Sequence, residues 1–327
     1  MKNKNCCVNE RLGMVGGQAV LEGVMMKSKD SVALSVRGTD GDISTEIVEY
    51  KPLFGGKIAK IPVIRGILNF IDMLRLSMTT LNKSVDMLGV EFEEEPSKFE
   101  KWLEKKFGKN LMNIATAVGT VLGVALSLFL FMYIPTVCSQ WIFGTEELSG
   151  GLRLAKSVFQ GVFKIAIFLA YILLVSFIPD IKRTFQYHGA EHKTVFCHEA
   201  YEDLTVENVK KHSRYHPRCG TSFMVVMMIV GIFFSFFLVN LPTLIQVVGK
   251  IVTLPLVVGV GYEFIKYAGK HDNFVIRALS APGLWIQRIT TKEPDDAQIE
   301  VAIRSLKAAL PDIYPEALDF IKEESEE

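Results

Sequence analysis

The hydrophobic and polar positions divide the chain into a polar N-terminal region, four long apolar segments and a polar C-terminal region. Each apolar segment is close to the roughly 20 residues that a helix needs to cross the hydrocarbon core of a bilayer. We predict spans over residues 111–137, 157–179, 222–239 and 245–267. The pattern therefore predicts a mainly α-helical, polytopic membrane protein with about four transmembrane helices.

The polar N-terminal region contains short β-rich runs separated by turn residues. The runs lie at residues 14–24, 31–37 and 43–50, and an Asp-Gly pair at 40–41 stands between the last two. An Asp-Gly pair between two such runs is typical of a tight β-hairpin turn. We predict a small β-containing cytoplasmic domain over residues 1–61.

Residues 62–110 predict an amphipathic helix followed by a charged hinge. In the first half of this segment apolar residues recur at helical spacing, but charged residues interrupt the apolar stripe. Such a helix lies on the membrane surface or on the helix bundle rather than crossing the bilayer. We predict the membrane domain over residues 111–268, with a cytoplasmic loop at 180–221. Residues 269–327 are predicted to form a cytoplasmic surface helix and an acidic tail.

The basic residues alternate along the chain in a way that predicts its orientation. Five lie between Lys98 and Lys109 ahead of the first span, two lie between the first and second spans, and seven lie between the second and third. Loops rich in Lys and Arg remain on the cytoplasmic side. We therefore predict a multi-pass protein of the plasma membrane, with both termini and the 180–221 loop in the cytoplasm.

Bulk composition adds several expectations. Hydrophobic residues make up 49% of the chain, and 36 basic residues balance 36 acidic ones, so the net charge implies no nucleic-acid partner. No apolar core follows the positively charged N-terminus, so we expect no cleavable signal peptide.

The five cysteines lack the spacing of a disulfide framework, which favours reduced thiols or metal ligands. The lipid bilayer is the predicted partner, and association into a homo-oligomer is left open.

The residues best suited to chemistry are concentrated between positions 185 and 222. Five of the six histidines and two of the five cysteines lie in this stretch. His188 and His192 are four residues apart, so they project from one face of a helix. With Glu191 they form His-x-x-Glu-His, the inverted zincin pattern, in which the two histidines bind zinc. We predict His188 and His192 as metal ligands and Glu191 as the general base.

Further ligands must come from another element, because one helix cannot complete the site. His216 and Cys219 lie just before the third span, on the same side of the membrane. We predict that they complete a site for zinc or another divalent transition metal, since four protein ligands close a structural site and three leave a position open for catalysis. The predicted function is a metal-dependent hydrolase of unidentified substrate. The simpler interpretation of His198 and His212 is surface histidine.

Three other functions are compatible with the same residues. Pro217 favours a helix start next to Cys219, and a helix N-terminus stabilises a thiolate. A membrane-embedded cysteine peptidase would use Cys219 as nucleophile, His216 or His192 as base, and the amides of residues 220–222 as oxyanion site. A non-catalytic scaffold or a metal-sensing protein would instead keep a closed metal site, and a loop that only binds a partner would need no metal.

Two further positions are candidates because of where they lie. Glu263 is an ionisable residue near the cytoplasmic end of the fourth span, where it could be a ligand, a base or a partner of Arg218. His271 and Asp272 follow that span, and they would supply a metal ligand and a carboxylate that orients it.

Three segments of the chain carry a family resemblance. They are residues 16–26 (Gly-Gly-Gln-Ala-Val-Leu-Glu-Gly-Val-Met-Met), 187–194 (Tyr-His-Gly-Ala-Glu-His-Lys-Thr) and 216–222 (His-Pro-Arg-Cys-Gly-Thr-Ser). In this order they resemble the YqhQ family of bacterial membrane proteins, over nearly the whole chain. The resemblance implies a multi-span protein of unknown function that is predicted to be a metal-dependent enzyme. It adds interest to Gln18 and Glu22, and by position it implies roles for His188, Glu191, His192, His216 and Cys219.

Overall fold

The described part of the chain folds into long helices and one small β-sheet. The computed structural model describes residues 9–56, 58–88, 111–268 and 274–317. Four helical segments in this part of the chain have the length and apolar composition of membrane spans. The prediction of a mainly α, polytopic membrane protein with a small N-terminal β region is confirmed. The predicted charged hinge, the His271-Asp272 pair and the acidic tail lie outside the described residues.

The β-rich runs form an antiparallel sheet in which each strand pairs with the next along the chain. The described strands are β1 (Gly16–Val20), β2 (Gly23–Lys27), β3 (Val32–Arg37) and β4 (Ile43–Ile47). A two-residue turn that ends at Glu22 divides the predicted run 14–24 into β1 and β2. The predicted Asp-Gly turn lies between β3 and β4, with Gly41 at a φ of 95°.

Both faces of the sheet are covered by other elements. Val24 and Met26 of β2 face a core that includes Tyr187 and Ile299. Met25, between them in the chain, belongs to a second core on the opposite face. Because successive residues of a strand point to opposite faces, burial of both faces gives the central strands a nearly continuous run of buried residues.

The helices account for most of the described chain. In chain order they are α1 (Ile64–Met87), α2 (Leu111–Leu128), α3 (Ile134–Phe143), α4 (Gly150–Val175), α5 (Pro179–Glu199), α6 (Val206–Lys210), α7 (Gly220–Leu238), α8 (Thr243–Ala268), α9 (Phe274–Thr290) and α10 (Asp296–Ala309). A π-helical turn, Phe129–Tyr133, joins α2 to α3.

The four spans overlap the four predicted apolar segments. They are Val118–Phe143, Gly150–Val175, Gly220–Leu238 and Thr243–Tyr267. The helix that holds the second span begins at Gly150 rather than at residue 157. The apolar run up to Pro179 is divided there by a short turn after Val175, and Pro179 starts a new helix.

Helix α1 lies in the 62–110 segment and has an unusual distribution of side chains. Its buried positions include the polar residues Asp72, Thr80 and Ser84. Large apolar side chains lie on its outside, with Leu74 49% exposed and Met78 62% exposed. An exposed apolar face of this kind suits a helix that lies against lipid. The location of α1 on the membrane surface stays a prediction.

The chain divides into two compact units, each made of separate stretches of sequence. The first unit contains Met1–Gly89, Ile172–Val226 and Val258–Glu327, and it holds the sheet, α5 and α10. The second unit contains Val90–Tyr171 and Met227–Val257.

The second unit is held together by a polar cluster around Gln160. Its amide nitrogen donates to Oγ of Ser139 at 2.6 Å and to Oε1 of Gln246 at 3.2 Å. Its amide oxygen accepts from Nζ of Lys250 at 2.8 Å and from Oγ of Ser235 at 3.1 Å. Buried polar groups within apolar helices lose water, so such mutual hydrogen bonds compensate for that loss.

Candidate metal centre

Helix α5 buries many polar side chains. It begins at Pro179, a residue suited to the first position of a helix. From Tyr187 onward most of its residues are buried, including Glu191, His192 and Glu199. Ionisable side chains are seldom fully buried unless they are paired. The burial therefore directs attention to the contacts that these side chains make.

His188 and His192 are oriented by backbone carbonyls from two other segments. Nδ1 of His188 lies 2.9 Å from the carbonyl oxygen of Thr290, and Nδ1 of His192 lies 2.6 Å from the carbonyl oxygen of Arg214. A carbonyl oxygen only accepts hydrogen bonds, so both Nδ1 atoms carry a proton and donate it. In the neutral rings the Nε2 atoms keep their lone pairs, as in a metal-ligating imidazole.

Cys219 brings a thiol to the same place. Its Sγ atom lies 3.3 Å from Nε2 of His188. Ligand atoms of His188, His192 and Cys219 all lie within 4.8 Å of one another. Cys219 immediately precedes α7, and Pro217 lies in the turn before that helix rather than in its first turn. The two ends of the histidine-rich stretch therefore meet.

Glu191 adds a buried carboxylate to this group. One of its oxygens lies 3.4 Å from Nε2 of His192. Strand β1 approaches it at Gly17, where an added Cβ would lie 2.7 Å from Cγ of Glu191 and 2.8 Å from the carbonyl oxygen of Met25. These distances leave no room for a side chain, so glycine at position 17 lets the strand pass close to the carboxylate.

His216 lies beside the group but faces another partner. Its backbone N–H donates to Oε1 of Gln287 at 2.7 Å, and its carbonyl oxygen accepts from Nε2 of Gln287 at 2.8 Å. Its own Nε2 lies 3.6 Å from a carboxylate oxygen of Glu199. Its ring centroid is 5.5 Å from that of His192. Of the four predicted ligands, His216 is the one outside the three-residue group.

The buried carboxylate of Glu199 contacts both His216 and Arg218. Its carboxylate accepts a hydrogen bond from the backbone N–H of Gly13 at 2.9 Å and pairs with Arg218. Burial by itself would raise the pKa of Glu199, but hydrogen bonds from His216, Gly13 and Arg218 outweigh it and lower the pKa to about 2. The carboxylate is therefore ionised at neutral pH and holds the Arg218 guanidinium beside the site.

The glycine inside the His-x-x-Glu-His motif has a packing role. A Cβ on Gly189 would lie 2.0 Å from the carbonyl oxygen of Lys292. The backbone N–H of Lys292 donates to the carbonyl oxygen of Phe185 at 2.8 Å. Helix α5 thus lies directly against the segment that follows α9. This contact brings the Thr290 carbonyl within reach of His188.

The group lies beside a cavity of about 1010 Å³. This volume is that of a pocket for a small organic molecule. Side chains from the sheet and from α1 contribute apolar and basic groups to its wall, including Met25, Lys27, Met73 and Leu76. Residues from the histidine-rich stretch form another part of the wall, and they are Glu191, His192, His216, Arg218 and Cys219.

Glu263 does not belong to the group. Its carboxylate accepts hydrogen bonds from Nε of Arg65 at 2.6 Å and from the backbone N–H of Val63 at 3.3 Å. Its partner is therefore Arg65 on α1 rather than Arg218, the partner that its position suggested. The ion pair links α1 to the last part of α8.

Gln18 and Glu22 hold the sheet to its neighbours. Oε1 of Gln18 accepts a hydrogen bond from Oγ of Ser77 at 2.5 Å, and Gln18 also lines the cavity. The Glu22 carboxylate accepts from the hydroxyl of Tyr187 at 3.2 Å and pairs with Arg183. Glu22 therefore fixes the β1–β2 turn against α5.

His198 is buried, and its prediction as a surface histidine is wrong. Its Nδ1 lies 2.9 Å from the hydroxyl of Tyr314, and its Nε2 has no hydrogen-bond partner among the described residues. Burial, followed by the positive charge of Arg11, lowers its pKa to about 4. The ring is therefore neutral at physiological pH. His198 is buried because the last turn of α5 lies inside the core of the first unit.

Sequence reasoning missed the residues that orient the site from a distance. Thr290 and Arg214 act through backbone carbonyls, and no local pattern marks a carbonyl as an acceptor. Gln287 acts through its side chain and is fully buried on α9. Gln287 lies four residues after Gly283 and three before Thr290, and all three are on the buried side of α9.

Comparisons with known proteins agree with the resemblance carried by the three motifs. The chain is 36% identical over 298 residues to the uncharacterized protein YqhQ of Bacillus subtilis (strain 168), which covers 90% of this chain and 92% of that protein. No solved structure gives a significant match. The profile of a family described as "Protein of unknown function (DUF1385)" matches residues 61–312. Since this match covers most of the sequence, the chain belongs to the DUF1385 family.

Proposed function

We propose that this protein is a membrane-bound, metal-dependent hydrolase. Zinc, or another divalent transition metal, would be held by His188, His192 and Cys219, with Glu191 as general base. The observation that carries the proposal is the convergence of the three ligand atoms to within 4.8 Å of one another. Two imidazoles and a thiolate suit zinc, and three protein ligands leave a position for reaction.

The contacts made by Nε2 of His188 and of His192 support a cation at this point. Nε2 of His192, whose Nδ1 donates to a carbonyl oxygen, lies 3.4 Å from the Glu191 carboxylate. Two acceptors at this distance repel each other unless a proton or a metal ion lies near them. Nε2 of His188 lies 3.3 Å from Sγ of Cys219, a thiol that donates its proton there and would release it on binding a metal ion. One divalent ion would satisfy all of these groups.

The side chains around the three ligands suit hydrolysis. A zinc ion at such a site supplies Lewis acidity to the reacting groups. Glu191, in the cavity wall, accepts a proton from the attacking water and returns it to the leaving group. Arg218, in the same wall, offers a positive charge to an anionic part of the substrate. His216 stays outside the proposed ligand set because its Nε2 faces Glu199, and the pair positions Arg218.

We infer that this site faces the cytoplasm of a plasma-membrane protein. The connection between the second and third spans contains α5 and Cys219, and it carries seven basic residues. Such connections remain on the cytoplasmic side, which would also place both termini there. A reducing compartment suits a thiol that must remain available as a ligand.

Metal content of the purified full-length protein tests the proposal. We expect His188→Ala and Cys219→Ser each to lower bound zinc by one equivalent per chain. Glu191→Gln should retain that zinc but lose at least 100-fold of the hydrolysis of a panel of chromogenic esters, amides and phosphodiesters. Glu191→Gln is therefore the matched control for metal binding. Unchanged zinc content in both ligand variants would overturn the proposal.

The contact between Cys219 and His188 supports a cysteine peptidase as the second candidate. The 3.3 Å distance from Sγ to Nε2 suits a nucleophile and its base, with His188 in the place predicted for His216 or His192. Burial, and then the carboxylates of Glu202 and Asp203, raise the pKa of Cys197 to about 11, so Cys197 is unsuited to this role. Peptidase activity that survives chelation and the Glu191→Gln change, but not Cys219→Ser, would favour this candidate.

A further inference from the structure

Cys197, Glu202 and His212 form a second group of metal-ligating side chains in the first unit. Their ligand atoms all lie within 4.8 Å of one another. We propose that they bind a second divalent transition-metal ion, zinc by ligand type, with a structural rather than catalytic role. The site is independent of the proposed hydrolase centre, because it shares none of that centre's residues.

The chain brings these three residues together through a short, well-tied connection. Cys197 lies in the last turn of α5, and Tyr201 ends the helix with a φ of 61°. The backbone N–H of Glu202 then donates to the carbonyl oxygen of Cys197 at 3.2 Å, so the chain folds back over the thiol. His212 follows α6, and its backbone N–H donates to the carbonyl oxygen of Val209 at 3.1 Å. A bound ion would fasten the end of α5 to the end of α6.

The donor set fits zinc better than it fits a hard cation. A thiolate, an imidazole and a carboxylate are all ligands that zinc accepts in tetrahedral sites. A thiol is a poor ligand for calcium or magnesium, which prefer oxygen. Nε2 of His212 already lies 3.2 Å from a carboxylate oxygen of Glu202. The Cys197 thiol donates a hydrogen bond to the backbone carbonyl oxygen of Asp203 at 3.6 Å, and it would release that proton on binding the ion.

Partial exposure of His212 and Glu202 gives the ion a path from solvent. Cys197 is fully buried, whereas the side chains of His212 and Glu202 are 19% and 44% exposed. The thiol therefore lies at the inner end of the group and the carboxylate at the outer end. A metal can enter past Glu202 and bind without unfolding of α5.

The second group lies on a different side of α5 from the first. Cys197 follows His188 by nine positions, which at about 100° per residue places it about half a turn around the helix. It also lies roughly 7 Å further along the helix axis than His192. One ion cannot bind to both groups, so the proposal predicts two separate binding events.

Metal titration of the full-length protein in detergent tests the second site. The protein carrying both His188→Ala and His192→Ala, in which the first group is removed, is stripped with a chelator and titrated with Co²⁺. We expect one equivalent to bind, with the absorbance of a thiolate–cobalt bond. Adding Cys197→Ser should abolish that absorbance. Adding Cys138→Ser, which removes the free thiol of α3, should leave it unchanged.

A surface variant separates loss of ligand from loss of fold. Glu202 is partly exposed, so Glu202→Gln should leave the thermal unfolding temperature of the metal-free protein unchanged. We expect it to weaken Co²⁺ binding roughly 10- to 100-fold, as for loss of a supporting carboxylate. Absence of Co²⁺ binding in the His188→Ala/His192→Ala protein would overturn the second site. Binding that persists unchanged after Cys197→Ser or Glu202→Gln would also overturn it.

Discussion

The Sγ atom of Cys219 lies 3.3 Å from Nε2 of His188, a residue 31 positions earlier in the chain. The contact joins α5 to the turn before α7, and it places a thiol against an imidazole nitrogen that carries a lone pair. A metal ligand and an activated nucleophile both use such a thiol. The response of Cys219 to zinc distinguishes between them, because coordination protects a thiolate from electrophiles.

We expect zinc to slow the alkylation of Cys219 by iodoacetamide at least tenfold. In His188→Ala, the zinc concentration that protects Cys219 should rise by roughly 10- to 100-fold or more, because one ligand is lost. Peptide mass spectrometry measures the alkylation rate of each cysteine in the same sample. Cys138 is the internal control, and its rate should not change with zinc. Equal protection of Cys219 in wild type and His188→Ala would contradict the shared site.

The contact between β1 and α5 predicts that two adjacent glycines differ in their tolerance of a side chain. Gly17→Ala would place a Cβ 2.7 Å from Cγ of Glu191, so we expect a loss of about 1–3 kcal/mol in unfolding free energy. Gly16→Ala is the matched control, because a Cβ there meets no described atom within 4 Å. Thermal unfolding and zinc content of both variants provide the measurement. Equal stability of the two variants would show that β1 does not press on Glu191.

The buried His198 predicts a loss of stability on mild acidification. Its pKa is lowered from 6.5 to about 4 by burial and by Arg11, so the unfolded chain takes up a proton that the folded chain excludes. The contribution of the neutral, buried His198 to the free energy of unfolding is complete above pH 6.5, and it declines as the pH falls towards 4. The decline amounts to about 3 kcal/mol at most.

His198→Asn tests this dependence, because asparagine can keep the hydrogen bond to Tyr314 without taking up a proton. We expect its unfolding temperature to fall less between pH 7 and pH 4.5 than that of wild type. Tyr314→Phe is the control, since it removes the hydrogen bond at 2.9 Å but leaves the titrating ring in place. Parallel pH profiles for wild type and His198→Asn would exclude His198 as the source.

The elements with strong local signals could be predicted from the sequence. The length and apolar composition of the spans predict membrane helices, and the Asp-Gly pair at 40–41 predicts a hairpin. The start of helix α10 also has a local sequence signal, because Asp295 and Gln298 form a capping box there. Residues 269–327 were instead predicted as one surface helix and a tail. Buried Leu306 belongs to the core that covers the sheet, a contact that spans most of the chain.

The candidate site could be predicted only as far as its side chains form local motifs. The i, i+4 spacing predicts that His188 and His192 share a face of one helix. Whether Cys219 or His216 joins them depends on the turn at Pro217, and in the structure Cys219 does. The group formed with Glu202 and His212 has no familiar spacing. It depends on the positive φ of Tyr201, which no residue preference predicts for tyrosine.

The proposed orientation predicts which loops can be labelled from outside an intact bacterial cell. We expect Glu147→Cys, between the first two spans, to react with a membrane-impermeant maleimide. Glu207→Cys, in α6, should react only after the membrane is permeabilised. Both positions are exposed, so a difference in labelling reports topology rather than burial. Peptide mass spectrometry distinguishes these cysteines from the native ones. Labelling of Glu207→Cys in intact cells would place the site outside.

Gln287 predicts that a single buried amide controls the segment carrying His216 and Cys219. Its side chain accepts from the backbone N–H of His216 and donates to the carbonyl oxygen of His216 and to Oγ1 of Thr221 at 3.0 Å. In Gln287→Met these groups lose their partners while the volume is conserved. We expect a loss of about 2–4 kcal/mol in unfolding free energy, because buried backbone groups are left unpaired.

The same change should weaken zinc binding at the first group, since the turn that presents Cys219 is no longer fixed at His216. Arg288→Met on the exposed side of α9 is the control, and it should alter neither unfolding nor zinc affinity. Isothermal titration with zinc, alongside thermal unfolding, separates the two effects of Gln287→Met. If stability falls but zinc affinity equals that of wild type, Gln287 stabilises the fold without positioning Cys219. The metal-centre proposal would then require the turn before α7 to hold Cys219 without the hydrogen bonds from Gln287.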